Sequence, residues 1–282
     1  MILVTGATGT VGRAVVERLC ARGVPVRATT RRPAAAHLPD AAEVVRVDLD
    51  EPDTLIPALT GVDRVFAVAD GPLIPRHDAA LAKAASAAGV AHIVKLSSGR
   101  VADETADDPI PRWHREGERA IRESRLAWTM LRPLGFMSNA LHWAHSIREH
   151  GTVRAPFGQG RIAVVDPADI AAVAVRALTE PGHDGRAYLL SGPEALTPQD
   201  QTRILGEVLG RTLRYIETTP ADARDALLAA GLSVEMADAV MALRAGALES
   251  FTARVVPTVE EITGHPPHTF ADWATQHRAE FA

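Results

Sequence analysis

The segment Thr5-Gly-Ala-Thr-Gly-Thr-Val-Gly12 follows directly on the apolar run Met1-Ile2-Leu3-Val4. It leads into a stretch where Val11, Ala14, Val15 and Leu19 recur at helical spacing. Three glycines at intervals of three, between a strand and a helix, leave few ways to fold. Gly6 suits a tight turn with positive φ, which other residues resist. Gly9 removes a side chain where a ligand's phosphates would approach the backbone, and Gly12 lets the first helix pack closely on the strand. The N–H groups at the helix start then face a pyrophosphate, and the helix dipole favours the negative charge. Glycine triplets also occur in plain turns. The flanking strand and helix are what point to a nucleotide. The spacing is G-x-x-G-x-x-G, not the G-x-G-x-x-G of many dehydrogenases.

The same rhythm continues downstream. Apolar strand-like runs ("VPVRATT", "AEVVRVDLD", "VDRVFAVAD", "AHIVKLSS", "LAWTMLRP") alternate with helical segments such as "DAALAKAASAAG" and "WHREGERAIRESR". Most of these runs are near-continuously apolar, as strands buried on both faces are. With right-handed crossovers, this predicts an α/β fold: a Rossmann-type, doubly wound parallel sheet. Beyond about residue 134 the pattern turns mostly helical, apart from a strand in "GRIAVV" and another in "RAYLLSG". Thr197-Pro198 reads as a helix start, and 220–249 as almost wholly helical. The expected division is a dinucleotide-binding domain over 1–134 and a smaller, mostly helical substrate-binding lobe over 135–282, intertwined with it in one compact unit.

Composition narrows the partners. The net charge of −5 gives no basic excess of the kind nucleic-acid binding shows. Cys20 is the sole cysteine, so neither an internal disulfide nor a cysteine metal cluster forms. His265 and His268 flank two prolines without metal-ligand helix spacing, and no metal is expected. No apolar run nears the roughly 20 residues that span a bilayer, and no leader precedes the first strand. The expectation is a cytoplasmic monomer or homodimer, with no membrane or nucleic-acid partner. The apolar positions of "SVEMADAVMALRAGALE" read as core or as a dimer face.

The end of the second strand bears on which dinucleotide binds. An NAD site places an acid there for the ribose 2′-hydroxyl. This chain reads Thr29-Thr30-Arg31-Arg32, with no acid before Asp40. A guanidinium suits a 2′-phosphate and favours NADP(H), with NAD(H) possible; the alternative is a pair of solvated surface arginines. Asp48, after the third strand, reads either as a partner for the adenine amino group or as a helix cap.

These motifs, together with "RVDLDEPDTL", "LAWTMLRPLGFMSN", "VVDPADIAAVAVRALTEPGHDGRAYLLSG" and "EEITGHPP", resemble the NmrA-like branch of atypical short-chain dehydrogenases/reductases across essentially the whole chain. Within that branch the likeness is to quinone-reducing and dye-reducing members. The resemblance implies that Gly6, Thr8, Gly9, Thr10, Val11 and Gly12 cradle the pyrophosphate. It places Arg31 at the 2′-phosphate and Asp48 at the adenine. Val68 and Ala69 (with Asp70), Ser97 and Ser98 would border the ribose and nicotinamide. Pro133, Leu134 and Phe136 would line the nicotinamide's far side.

One departure is informative. The parent superfamily uses Tyr-x-x-x-Lys to pass a proton to the substrate. Here Gly192 stands four residues after Tyr188, and Thr219 four after Tyr215. By register with extended relatives, His114 occupies the lysine's place and Ile110 the tyrosine's. His114 is the candidate catalytic residue, holding a cofactor ribose hydroxyl; the alternative is a plain helix-surface histidine. Glu118, one turn later, would orient it or pair with Arg115 or Arg122. Hydride transfer survives without the tyrosine where the acceptor spreads the developing charge. The expected substrate is therefore a quinone or a similarly conjugated, small apolar aromatic acceptor. Phe136, Met137, Asn139 and Trp143 are candidates for its pocket wall. Two alternatives remain at this level: a dinucleotide-binding redox sensor without turnover, and a tailoring reductase acting on aromatic biosynthetic intermediates.

Overall fold

The computed structural model describes residues 1–282. Its strands are β1 (Ile2–Val4), β2 (Val26–Thr30), β3 (Ala42–Arg46), β4 (Arg64–Ala67), β5 (His92–Leu96), β6 (Ala127–Pro133), β7 (Thr152–Ala155), β8 (Arg186–Leu190) and β9 (Arg214–Glu217). The helices are α1 (Thr10–Ala21), α2 (Leu55–Ala58), α3 (Ile74–Ala87), α4 (Pro109–Glu123), α5 (Ala144–His150), α6 (Pro167–Thr179), α7 (Pro198–Leu209), α8 (Pro220–Ala229), α9 (Val234–Ala245), α10 (Thr258–Thr263), α11 (Phe270–Gln276) and α12 (Arg278–Phe281).

Seven strands form one sheet in the order β3-β2-β1-β4-β5-β6-β8, and β1 through β6 pair in parallel. Chain order reverses beside β1, where the Rossmann arrangement puts its crevice, at the carboxyl ends of β1 and β4. All five residues of β5 are buried, as expected of a strand covered on both faces. The chain divides into two units interleaved along the sequence. The first comprises 1–101, 112–132 and 167–188; the second comprises 102–111, 133–166 and 189–282. The expected cut at 134 therefore marks one crossing of several. The crossover helix α6 packs on α1 and, with most of β8, belongs to the first unit.

The first unit's core gathers Leu3, Leu59, Val65, Ile93 and Met130 around the sheet with Leu81 and Ala85 of α3. The second unit has its own core, in which Met137, Ile147 and Leu205 surround Phe270, Trp273 and Phe281. Trp273 stacks on Phe270 at a centroid separation of 5.5 Å. The Thr197 helix start is present as a reciprocal cap: its hydroxyl accepts from Asp200 N, and Asp200 Oδ2 accepts from Thr197 N, both at 3.0 Å.

Local expectations differ from the structure in three places. The "GRIAVV" strand is reduced to isolated bridges, Phe136–Val165 and Ile162–Leu196. A parallel pair, β7 with β9, replaces what had no strand signal, because "TVRA" and "RYIE" are too short and polar to show a period. The helical stretch expected over 135–151 opens on a 3₁₀ segment, Met137–Trp143, and becomes α-helical only in α5.

Candidate active site

The glycine loop is built by the chain's own needs at two positions out of three. Gly6 has φ +59°, and a Cβ there would lie 2.9 Å from the Val68 Cβ. A Cβ on Gly12 would come within 2.2 Å of the Gly6 carbonyl oxygen. Gly12 therefore clears the loop itself, not the strand it was expected to admit. At Gly9 a Cβ would meet only that same oxygen, at 3.3 Å, and the residue is exposed. The chain itself demands less of this glycine than of the other two.

Gly9 caps α1 without a side-chain hydrogen bond. The Thr10, Val11 and Gly12 N–H groups have no acceptor in the chain, while Gly9 N donates to Gly6 O at 2.9 Å. Three unpaired donors at the start of a twelve-residue helix, beside a bare glycine, fit a pyrophosphate. Thr5 staples this loop to the one after β4: its hydroxyl accepts from Val68 N at 2.7 Å and donates to Val68 O at 3.0 Å. Val68 and Ala69, and likewise Ser97 and Ser98, follow directly on β4 and β5 at the carboxyl end of the sheet.

Arg31 and Arg32 follow β2 and are exposed. Asp50 lies close enough to Arg31 to feel its charge. Its carboxyl is held below the ordinary range first by a hydrogen bond from His77 (3.0 Å), then by the charges of His77, Arg76 and Arg31. Arg76 and His77 of α3 thus join Arg31 around one acid. Sequence reasoning missed this cluster because 45 residues separate its ends. Asp48 Oδ1 accepts from Asp50 N at 3.1 Å, an Asx turn that shapes the loop after β3.

Beneath the loop after β5 lies a group of buried charges. Lys95 Nζ sits 2.5 Å from Asp78 Oδ2, with both side chains essentially inaccessible. Gly117 of α4 leaves room for that carboxylate, since a Cβ there would fall 2.0 Å from Asp78 Oδ2. Burial raises the Asp78 carboxyl above its usual value, against the opposing pull of Lys95. Glu118 accepts from Arg132 Nε (2.9 Å) and Nη2 (2.5 Å), from Arg122 Nη2 (2.8 Å) and from the Ser97 hydroxyl (2.7 Å). Burial alone would raise its pKa; the hydrogen bond and charge of Arg132, then Ser97 and Arg122, outweigh that and lower it. Of the roles considered for Glu118, the Arg122 pair is present. The acid is occupied by Arg132 and Ser97 rather than by His114, and β6 supplies a partner no helical spacing could reveal.

His114 Nδ1 is buried without a hydrogen-bond partner. Burial first, then the nearby Lys95 charge, holds the imidazole pKa well below normal, so the ring is neutral at physiological pH. The residue as a whole is half-buried, so only part of the ring is at the helix surface. A neutral imidazole with an unsatisfied nitrogen can bind a hydroxyl, but it is no standing acid.

The remaining site candidates lie in the second unit or at its start. Met137, expected in a pocket wall, is 1 % exposed and belongs to the core, with its terminal methyl against Gly192. Trp143 packs against the same core, and Leu134 and Pro133 are buried. Phe136 is half-buried and Asn139 exposed, so these two side chains stay free for other contacts. Tyr188 bonds His183 Nδ1 at 2.9 Å, and Tyr215 donates to Ala155 O at 2.9 Å.

Residues 6–181 match the family described as NAD(P)H-binding. The chain is 48% identical to the (4-alkanoyl-5-oxo-2,5-dihydrofuran-3-yl)methyl phosphate reductase of Streptomyces griseus, covering 100% of this chain and 99% of the relative. It is 42% identical to the NAD(P)H azoreductase of Xenophilus azovorans, with the same coverage. The structure of the NADPH-dependent quinone oxidoreductase QOR2 of Escherichia coli complexed with NADPH superposes with a TM-score of 0.84, at 30% identity, covering 98% of this chain and 99% of that one. The protein belongs to the NAD(P)H-binding, NmrA-like branch of the atypical short-chain dehydrogenases/reductases. Within that branch it is an NAD(P)H-dependent reductase. No helix is long and apolar enough to cross a membrane.

Proposed function

We propose that this reductase takes hydride from NADPH and delivers it to a small conjugated, electron-poor acceptor: a quinone, or an alkene or azo bond flanked by groups that spread the incoming charge. The observation that carries this reading is His114, a half-buried imidazole whose buried Nδ1 has no hydrogen-bond partner and whose pKa burial and Lys95 hold down. It can hold a ribose hydroxyl and so orient the nicotinamide ring, but it does not supply an acidic proton. The chain also lacks a Tyr-x-x-x-Lys pair. A simple ketone, which localises its charge on one oxygen, is poorly served by such a site.

Conjugated acceptors need less. The compound named for the Streptomyces griseus relative has a ring double bond one of whose carbons bears both the lactone carbonyl and the acyl carbonyl, while the other bears the phosphorylated methyl arm. Hydride added at the far carbon leaves an enolate spread over both oxygens, and water can protonate it. An azo bond and a quinone likewise disperse the charge. Acceptor reduction of this kind supports the same reading in all three.

When bound, the dinucleotide supplies the hydride. The donors at Thr10, Val11 and Gly12 would fix its pyrophosphate, and Arg31, with Arg76 close by, its 2′-phosphate. Ser97 and Ser98 border the ribose and nicotinamide in this reading, with Ser97 held by Glu118. Pro133, Leu134 and Phe136 would exclude water on the other face, and Asn139 would orient the acceptor. The test is NADPH consumption with an acyl-furanone, a naphthoquinone, an azo compound and a simple ketone. Turnover of conjugated acceptors at least about 100-fold above the ketone is expected, a difference of about 2.7 kcal/mol in barrier. Equal rates with the ketone would overturn the reading.

A further inference from the structure

An NAD site carries an acid at the end of its second strand for the ribose 2′-hydroxyl. This chain has Arg31 and Arg32 there, and the acid stands one strand over. Thr30 of β2 pairs with Arg46 of β3, and Val47 N donates to Thr30 O at 3.1 Å. Arg31 and the loop 47–51 therefore leave the sheet side by side, at its carboxyl end. The loop carries three acids, Asp48, Asp50 and Glu51. Glu51 is bound to Arg46 by hydrogen bonds of 3.0 and 3.1 Å. Asp48 is engaged by its own loop, since its Oδ1 accepts from Asp50 N at 3.1 Å. Asp50 is the acid left to face other elements.

Helix α3 fixes it. His77 Nε2 donates to Asp50 Oδ1 at 3.0 Å, and Arg76 Nη2 donates to Asp50 O at 3.2 Å. Arg76 Nη1 stands 3.7 Å from Oδ1, a charge contact too long for a hydrogen bond. His77 is largely covered while Asp50 and Arg76 are exposed, so the imidazole sets where the carboxylate stands. Oδ2 of that carboxylate accepts no hydrogen bond from the chain, and the Arg31 guanidinium donates none; both residues are exposed. The His77 hydrogen bond first, then the charges of His77, Arg76 and Arg31, keep the carboxyl below its ordinary range, so Asp50 is an anion at neutral pH. An exposed ion pair of this kind adds little to stability. A positioned anionic acceptor beside two loosely engaged guanidinium groups can instead answer a hydroxyl or a phosphate at one place.

We propose that Asp50 is the specificity-determining acid for the coenzyme's adenosine ribose: it accepts the 2′-hydroxyl of NADH and stands against the 2′-phosphate of NADPH, which Arg31 and Arg76 take. The site thus admits both coenzymes, and Asp50 sets the balance between them. Toward NADH, Oδ2 offers the hydroxyl a charged acceptor. Toward NADPH, repulsion between carboxylate and phosphate subtracts from what the guanidinium groups contribute. The inference deepens the coenzyme half of the reading above. It rests on the dinucleotide lying at the carboxyl end of the sheet and is independent of the acceptor.

The test is calorimetric titration of NAD+, NADP+ and NAD+ lacking the adenosine 2′-hydroxyl into wild type, Asp50→Ala and Asp50→Asn. Wild type should bind NAD+ about tenfold more tightly than the deoxy analogue, the size of one hydrogen bond to a charged group. Asp50→Ala should bind those two within about twofold of each other, and NADP+ about two- to fivefold more tightly than wild type does. Asp50→Asn should gain on NADP+ likewise while keeping part of the hydroxyl preference, because its amide still offers an acceptor oxygen. With a reducible acceptor, the NADPH/NADH ratio of kcat/KM should rise at least about tenfold in Asp50→Ala. A wild type indifferent to the 2′-hydroxyl, or an Asp50→Ala variant that keeps the preference, overturns the proposal while the coenzyme site stands. If wild type binds none of the three nucleotides, the coenzyme site itself falls, and the proposal with it.

Discussion

The two units hold their buried acids with different kinds of partner. In the first, Asp78 has Lys95, and Glu118 has two arginines and a serine. In the second, the buried Asp166 faces the ring of His268 at 3.3 Å, an imidazole in place of a fixed cation. The first unit leaves its unmatched groups elsewhere, on the backbone at the start of α1 and on one imidazole nitrogen. A unit that satisfies its own buried charges holds a fixed frame for a ligand bound by main-chain donors.

Substitutions can break this contrast. The largest effect is expected at Gly12: Gly12→Ala drives a Cβ into the Gly6 carbonyl and should lower Tm and abolish NADPH binding together. Gly9→Ala, with only one contact at 3.3 Å, should keep Tm and weaken NADPH binding roughly tenfold, about 1.4 kcal/mol. Equal Tm losses in both would mean the loop is built for itself alone. Next comes Lys95→Met, which strands the Asp78 carboxylate and should cost about 3–5 kcal/mol in urea unfolding. Adding Asp78→Leu should recover most of that loss; no recovery would show that the pair is not a closed system.

A smaller effect is expected with pH. His92, hydrogen-bonded to Thr129 at 2.9 Å, is lowered to about 4, by burial first and then by Arg64. Between about pH 6.5 and 4 the unfolded chain takes up a proton that the folded chain refuses, so stability falls as pH drops through that window. The loss should reach up to about 2–3 kcal/mol, and His92→Gln should flatten the slope of stability against pH by that amount. Arg31→Ala should lower the NADPH/NADH ratio of kcat/KM by about ten- to thirtyfold, or about 1.5–2 kcal/mol. An unchanged ratio would move 2′-phosphate recognition to Arg76.

Much of the first unit was legible in the chain. Near-continuous apolar runs marked β1 to β6, and the glycine triplet marked the turn into α1, because turn geometry and burial on both faces leave their signature within a few residues. The short polar strands β7 and β9 left none. Lys95 offered a partial clue: a charged residue inside the apolar run "HIVKL" needs a buried acid, but nothing in the sequence chose Asp78 from among the acids available.

The sequence by itself determined the doubly wound sheet, the glycine cradle and the absence of a tyrosine–lysine pair, since each is a matter of residues adjacent or a few turns apart. Tertiary structure alone decided which charges are answered. It brought Arg132 of β6 to Glu118 and left His114 Nδ1 buried without a hydrogen-bond partner. Charges interact through space and titrate according to desolvation, and both depend on which distant segments fold against them.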